Sequence, residues 1–154
     1  MSKPGTEVVT HETTLAIRDR CLCLHTQRAA RALARRFDAA LRPLGLTSGQ
    51  FSLLNALNRP EPPPMAPVAA LLAMDRTTLT AALKPLERRG LLRSEPGEDR
   101  RSRRVALTDA GRDLLAAAVP VWRAVHAAVD AEVAAAGGGL REGLAALAAQ
   151  GTSR

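Results

Sequence analysis

Tyrosine is absent from this chain, and aromatic residues make up only 2% of it, two Phe and one Trp. Strands of a sandwich or barrel favour aromatic and β-branched side chains, so this composition argues against those architectures. Cysteine is scarce as well. Cys21 and Cys23 rule out a disulfide framework and suit a reducing cytoplasm, the expected location. If their segment is helical, the two thiols point to different faces and do not readily bridge. No secretion-signal pattern opens the chain, and no apolar run is read as long enough to cross a bilayer, so no membrane partner is expected. A phosphate-binding glycine loop, metal-ligand spacing and a nucleophile motif are all missing. His11, His25 and His126 are isolated in the sequence. The expectation is therefore a non-enzyme without cofactor or metal.

What the chain does contain is leucine, alanine, valine and arginine. Hydrophobic residues reach 46% of 154 residues, enough for a core of small, helix-compatible side chains. The net charge is +7, unevenly spread. Lys and Arg outnumber Asp and Glu by 9 to 5 over residues 1–64 and by 10 to 7 over 65–115, but stand 3 to 3 over 116–154. A neutral, alanine-rich end suits contact with protein. A basic remainder suits contact with a polyanion.

Residues 1–46 read as an N-terminal arm and dimerisation helix. A helical pattern runs from about Thr13 to Leu41, with Leu22, Thr26, Ala29, Leu33, Phe37, Ala40 and Leu44 in one stripe. Pro43 and Gly45 stop it. Nearly thirty helical residues would span about 40 Å, more than a small domain needs.

Residues 47–108 carry the densest set of signals. Thr47 or Ser48 caps a helix with Phe51, Leu53, Leu54 and Leu57 on its buried side. The proline-rich run 59–64 is a stiff connector. Met65–Leu72 is a short apolar helix, and Ala73-Met74 make a turn. Asp75 caps the next helix, in which Leu79, Leu83 and Leu86 share one face. Arg76, Thr77, Thr78, Thr80, Lys84 and Arg88 lie outside that face. Threonine hydroxyls and methyls, with Lys and Arg, are the chemistry that reads base edges and phosphates in a major groove. Two helices, a tight turn and a polar outer face predict a helix-turn-helix. Gly90 ends the second helix. Leu91–Ser94 and Arg103–Leu107 then pair as strands around the turn residues Pro96-Gly97-Glu98-Asp99. Arg100, Arg101, Arg103 and Arg104 crowd the tip and suit a narrow minor groove or phosphates. Asp99 is expected to pair with a neighbouring arginine, Arg101, and shape that tip. The predicted fold is mainly α with a small β-hairpin wing.

From Leu46 to Gly111 the chain resembles the MarR family of bacterial regulators. The matching segments are Leu46-Thr47-Ser48-Gly49-Gln50-Phe51, Leu71–Thr80, Leu86-Glu87-Arg88-Arg89-Gly90-Leu91, Asp99-Arg100-Arg101-Ser102 and Leu107-Thr108-Asp109-Ala110-Gly111. The resemblance implies a homodimeric winged helix-turn-helix regulator that binds a pseudo-palindromic operator in double-stranded DNA, usually as a repressor. It also implies release by a small aromatic or lipophilic effector. By the same resemblance, wing residues are Asp99, Arg100 and Arg101, and recognition-helix residues are Arg76, Thr77, Thr78, Thr80 and Lys84.

Residues 109–154 read as C-terminal dimerisation helices. Thr108 caps a long helix with Leu114, Ala118, Val121, Trp122, Val125, Val129 and Val133 as its apolar stripe and Pro120 inside it. Leu140–Ala149 is a final short helix. Apolar stripes at both ends exceed what one small domain buries, and a two-fold partner resolves that. Cys21, His25, Phe51 and Trp122 form the candidate ligand or redox site. Cys21 falls where peroxide sensors of this family carry a reactive cysteine, although the tyrosines that assist it there are missing here. A redox-sensing regulator and a protein-interaction winged helix are the competing readings.

Overall fold

A computed structural model of the chain describes residues 9–97 and 103–149. Two compact units emerge, residues 1–35 and 36–154.

In the first unit, α1 spans His11–Arg20 and is capped by the Thr10 hydroxyl, which accepts from the Thr13 amide at 3.2 Å. The single long helix expected from Thr13 to Leu41 is interrupted. Cys21 leaves helical geometry (φ −70°, ψ 100°), and a second helix, α2, runs Leu22–Leu41, its last six residues belonging to the second unit. Local bonds fix the break. The Cys21 amide still donates to the Ile17 carbonyl at 2.8 Å, closing α1. The Leu24 amide donates to Cys21 Sγ at 3.4 Å, so the thiol takes the capping position of α2. The premise that Cys21 and Cys23 share one continuous helix therefore fails. Ile17 and Leu22 are 58% and 69% exposed, which moves the start of the expected stripe out of the core.

The second unit holds the core. A short 3-10 turn, Arg42–Leu44, ends at Gly45, whose φ of +66° favours glycine. Helix α3, Ser48–Leu57, begins with a full capping box. The Thr47 hydroxyl accepts from the Gln50 amide, and the Gln50 side chain accepts from the Thr47 amide. Phe51, Leu53, Leu54 and Leu57 are buried as the spacing predicts. Helix α4, Met65–Leu71, contributes Val68. Helix α5, Arg76–Arg88, contributes Leu79, Leu83 and Leu86, and continues through Pro85.

Strands β1, Leu92–Pro96, and β2, Arg103–Leu107, pair antiparallel with Leu92 opposite Leu107 and Pro96 opposite Arg103. β1 reaches two residues further than the expected end at Ser94, so Pro96 belongs to the ladder. Proline is tolerated there because it is the last pair of an edge strand. Helix α6 spans Asp109–Ala135 without interruption at Pro120, and α7 spans Leu140–Ala149. The deepest residues of α6 are Leu115 and Ala118, while Leu114, Val121, Trp122, Val125 and Val133 are half-buried. By length and composition alone, α6 is long and apolar enough to cross a membrane, contrary to the expectation from sequence. Its apolar character comes from alanine and valine; Leu115, Ala118 and Val129 are buried, and most of the helix is not. Among the described residues no polar or charged side chain is buried.

Candidate nucleic-acid interface

Helix α5 is held by its leucine face and shows its polar face outward. Leu79, Leu83 and Leu86 have no exposed surface, whereas Arg76, Thr77, Thr78, Ala81, Lys84 and Arg88 are exposed and Thr80 is half-buried. The turn before it is tight. Ala73 adopts φ +50°, and the Met74 amide donates to the Ala69 carbonyl at 2.9 Å. Asp75 then caps α5, accepting from the Thr78 amide at 2.7 Å and from the Thr78 hydroxyl at 2.8 Å. These bonds hold the Asp75 carboxyl below the usual carboxylate range.

The outward residues fall into two kinds. The Thr78 hydroxyl is engaged with Asp75, and the Thr80 hydroxyl donates to the Arg76 carbonyl at 2.8 Å. Both hydroxyls therefore serve the helix first. Thr77 and Lys84 have no side-chain bond among the described residues, and their seven-residue spacing puts them on one face.

Two links fasten the wing to the C-terminal end of α5. The Arg103 guanidinium, at the start of β2, bonds both Glu87 of α5 and Ser94 of β1. Thr108 makes the other link. Its amide donates to the Leu91 carbonyl at 3.0 Å and its hydroxyl to the Gly90 carbonyl at 2.6 Å, while the hydroxyl accepts from the Gly111 amide at 3.1 Å. One side chain thus caps α6 and ties it to the end of α5. Gly111 completes the joint, because a Cβ there would lie 2.1 Å from the Leu91 carbonyl oxygen. On the far edge of the hairpin, Arg104 pairs with Pro64 in an isolated bridge and donates to the Pro62 carbonyl at 3.1 Å. The proline-rich connector is therefore a third, short rail of the wing. Sequence reasoning assigned Arg103 to DNA and did not single out Glu87 or Ser94. The i, i+16 ion pair has no local signature. Asp99, Arg100 and Arg101 lie outside the described residues.

The candidate ligand or redox residues divide between the units. Cys21 and His25 sit at the α1–α2 break, where His25 Nε2 lies 3.1 Å from the Asp19 carbonyl oxygen. Cys23 Sγ accepts from the Gln27 side-chain amide at 3.2 Å. Phe51 and Trp122 belong to the second unit and stack at 6.2 Å. His126 tilts against Trp122 at 4.4 Å, and Phe37 against His126 at 5.5 Å. Phe37 and Trp122 thus both lie against one histidine, and Phe51, the third aromatic residue of the chain, stacks on Trp122. Phe37 and His126 were not singled out together from sequence, although so few aromatic residues made a cluster a reasonable search. Nearby, Arg36 grips Glu132 with two bonds of 2.7 and 2.9 Å, joining α2 to α6.

Comparison with known proteins agrees with this geometry. The profile described as a winged helix DNA-binding domain matches residues 46–111. An uncharacterised HTH-type transcriptional regulator of Bacillus subtilis, YwoH, is 32% identical over 90 residues, which cover 58% of this chain and 66% of YwoH. The Mycobacterium tuberculosis transcriptional regulator MosR, solved in complex with DNA, is 42% identical with a TM-score of 0.78, over 86% of this chain and 96% of MosR. The transcriptional repressor CouR bound to a 23-mer DNA duplex is 29% identical with a TM-score of 0.68, over 94% of this chain and 98% of CouR. CouR from Rhodococcus jostii RHA1 has also been solved with p-coumaroyl-CoA, at 25% identity and a TM-score of 0.69 over 84% of this chain and 93% of CouR. With a capped helix-turn-helix, a hairpin fixed to its reading helix and regulators of this architecture as relatives, the chain belongs to the MarR family of winged helix DNA-binding transcriptional regulators.

Proposed function

We propose that this regulator acts as a homodimeric repressor, binding a pseudo-palindromic operator sequence-specifically and releasing it when a small aromatic or lipophilic molecule binds. The carrying observation is the outward face of α5. Its leucine side is sealed in the core, and Arg103–Glu87 and Thr108–Gly90 set the wing at its end. Thr77 and Lys84 read bases, Arg76 and Arg88 reach phosphates, and Arg100 and Arg101 add contacts to DNA. Arg103 acts chiefly by positioning. Such a role places the chain in the cytoplasm.

Dimerisation is supported by apolar surface that one chain leaves open. Ile17 and Leu22 lie on the N-terminal helices, and Leu140, Leu144 and Leu147, 41–55% exposed, on α7. In such a dimer the two α5 helices would enter successive major grooves about 34 Å apart. CouR with p-coumaroyl-CoA supports an effector with an aromatic part, and the Phe37–Phe51–Trp122–His126 cluster supplies ring surfaces for it. The decisive experiment selects fragments from random duplex DNA with purified protein, then titrates the selected site in a gel shift at several salt concentrations. Enrichment of an inverted repeat is expected. Recovery of sequences no better bound than random duplex would remove the reading.

A second reading rests on the break at Cys21, which puts a sulfur where the first amides of α2 point. In that reading, peroxide oxidises the thiol and weakens operator binding. Peroxide treatment that leaves operator affinity unchanged, with Cys21→Ser behaving as wild type, would sink it.

A further inference from the structure

At the base of the wing, between the proline-rich connector, β1 and the start of α6, lies a cleft of about 70 Å³. We infer that it is a binding site for a single phosphate-type oxyanion, held by Arg59, Arg93 and Arg112. These arginines come from three elements, the connector after α3, strand β1 and the first turn of α6. Among the described residues no acidic side chain lines the cleft. Its walls include the buried side chains of Leu57, Ala106 and Leu107, and prolines 60 and 62, which have no backbone N–H to offer. The apolar part of the wall strengthens the pull of a guanidinium on an anion.

The donors are positioned and mostly unspent. A guanidinium carries five N–H groups. Arg59 uses its Nε on the Ala56 carbonyl at 3.3 Å, and Arg93 uses its Nε on Glu95 at 2.7 Å. The terminal nitrogens of both have no further partner among the described residues. Arg112 bonds the Leu107 carbonyl and Asp109 with its two terminal nitrogens, which fixes its plane. Glu95 and Asp109 therefore orient two of the arginines from outside the cleft and offset part of their charge, leaving a net positive site. The volume holds a few waters or one small oxyanion. A planar fork facing a tetrahedral or carboxylate-like anion gives short, charge-assisted bonds. Bound there, the anion braces the base of β1 against the start of α6, the same junction that Thr108 caps.

The oxyanion has two sources, free phosphate and a backbone phosphate of DNA, and the test separates them. Inorganic phosphate is titrated into the protein without DNA, with sodium chloride at equal ionic strength as control, while the melting temperature is followed. A saturable rise with phosphate and none with chloride is expected. Arg59→Gln and Arg93→Gln should each weaken it about tenfold, the effect of losing one charge-assisted contact. Melting in chloride alone shows that these variants fold. In a second arm, the salt dependence of operator binding is compared for the same variants. A slope of log K against log salt reduced by about 0.9 for Arg93→Gln identifies a DNA phosphate as the occupant. Phosphate and chloride acting alike, together with an unchanged slope, overturns the assignment.

Discussion

The Thr108 hydroxyl donates to the Gly90 carbonyl at 2.6 Å, joining the end of the reading helix to the start of α6. The same oxygen caps α6 through the Gly111 amide. Thr108→Val keeps the shape and removes both bonds. It is expected to lower stability by about 1–2 kcal/mol, the value of a lost N-cap with its hydrogen bond. Urea unfolding measures this directly. Operator affinity should fall too, because the wing is set from this joint. A variant with an unchanged midpoint would show that the hydroxyl does not hold it.

Gly111 makes a sharper case. An alanine Cβ would lie 2.1 Å from the Leu91 carbonyl oxygen and 3.1 Å from its carbon, so it is backbone, not a flexible side-chain end, that would have to shift. Gly111→Ala is expected to cost about 3 kcal/mol, the upper range for overpacking. Gly143 provides the contrast, since it lies in α7 and a Cβ there meets nothing within 4 Å. Gly143→Ala should stabilise α7 by up to about 1 kcal/mol through helix propensity. Thermal melts of the two variants should move in opposite directions.

These joints also show what the sequence disclosed. The face Leu79, Leu83, Leu86, the Asp75 cap and the Thr108 cap were all legible, because each rests on local spacing and a local hydrogen bond. The hairpin was legible because glycine, proline and arginine punctuate it. The break at Cys21 was not. Apolar residues continue past it, and the capping atom is a sulfur, a poor acceptor that sequence rules do not include. The ion pair Arg103–Glu87 and the ring cluster around His126 were also hidden, since they depend on tertiary approach between residues far apart in the chain.

Arg103 and Glu87 give a test of positioning against direct contact. If Arg103 acts by holding the wing, Glu87→Gln should weaken operator binding much as Arg103→Gln does, although it removes a negative charge near DNA. The double variant should then lose no more than either single one. A gain in affinity for Glu87→Gln, with loss only for Arg103→Gln, would instead assign Arg103 to the DNA backbone.

Thr77 and Lys84 should behave differently from Thr78. Thr77→Ala and Lys84→Ala are expected to change which operator bases are preferred, or weaken binding by about 1–3 kcal/mol, while folding is untouched. Thr78→Ala should lower helix stability first, because its hydroxyl and amide both serve Asp75. A panel of operators with single base changes, bound by each variant, separates the two outcomes. If Thr78→Ala alone redirects base preference, the roles are reversed.

Acid stability follows from three carboxylates. The Thr78 bonds lower Asp75, the Ser48 amide at 2.6 Å lowers Asp38, and the Arg36 guanidinium lowers Glu132. Each folded-state value lies below the unfolded one. Their ionised forms therefore contribute fully above the unfolded values, ~4, and the contribution is lost as pH falls through the folded values. The melting temperature should be level above about pH 5 and drop below about pH 4. Asn is as good an N-cap as Asp, so Asp75→Asn keeps the helix start but cannot titrate. Combined with Glu132→Gln, it should flatten the acid limb, because fewer protons are taken up on unfolding. Melts of wild type and the double variant from about pH 2.5 to 6 compare the two limbs, and equal steepness would mean that other groups set the acid response.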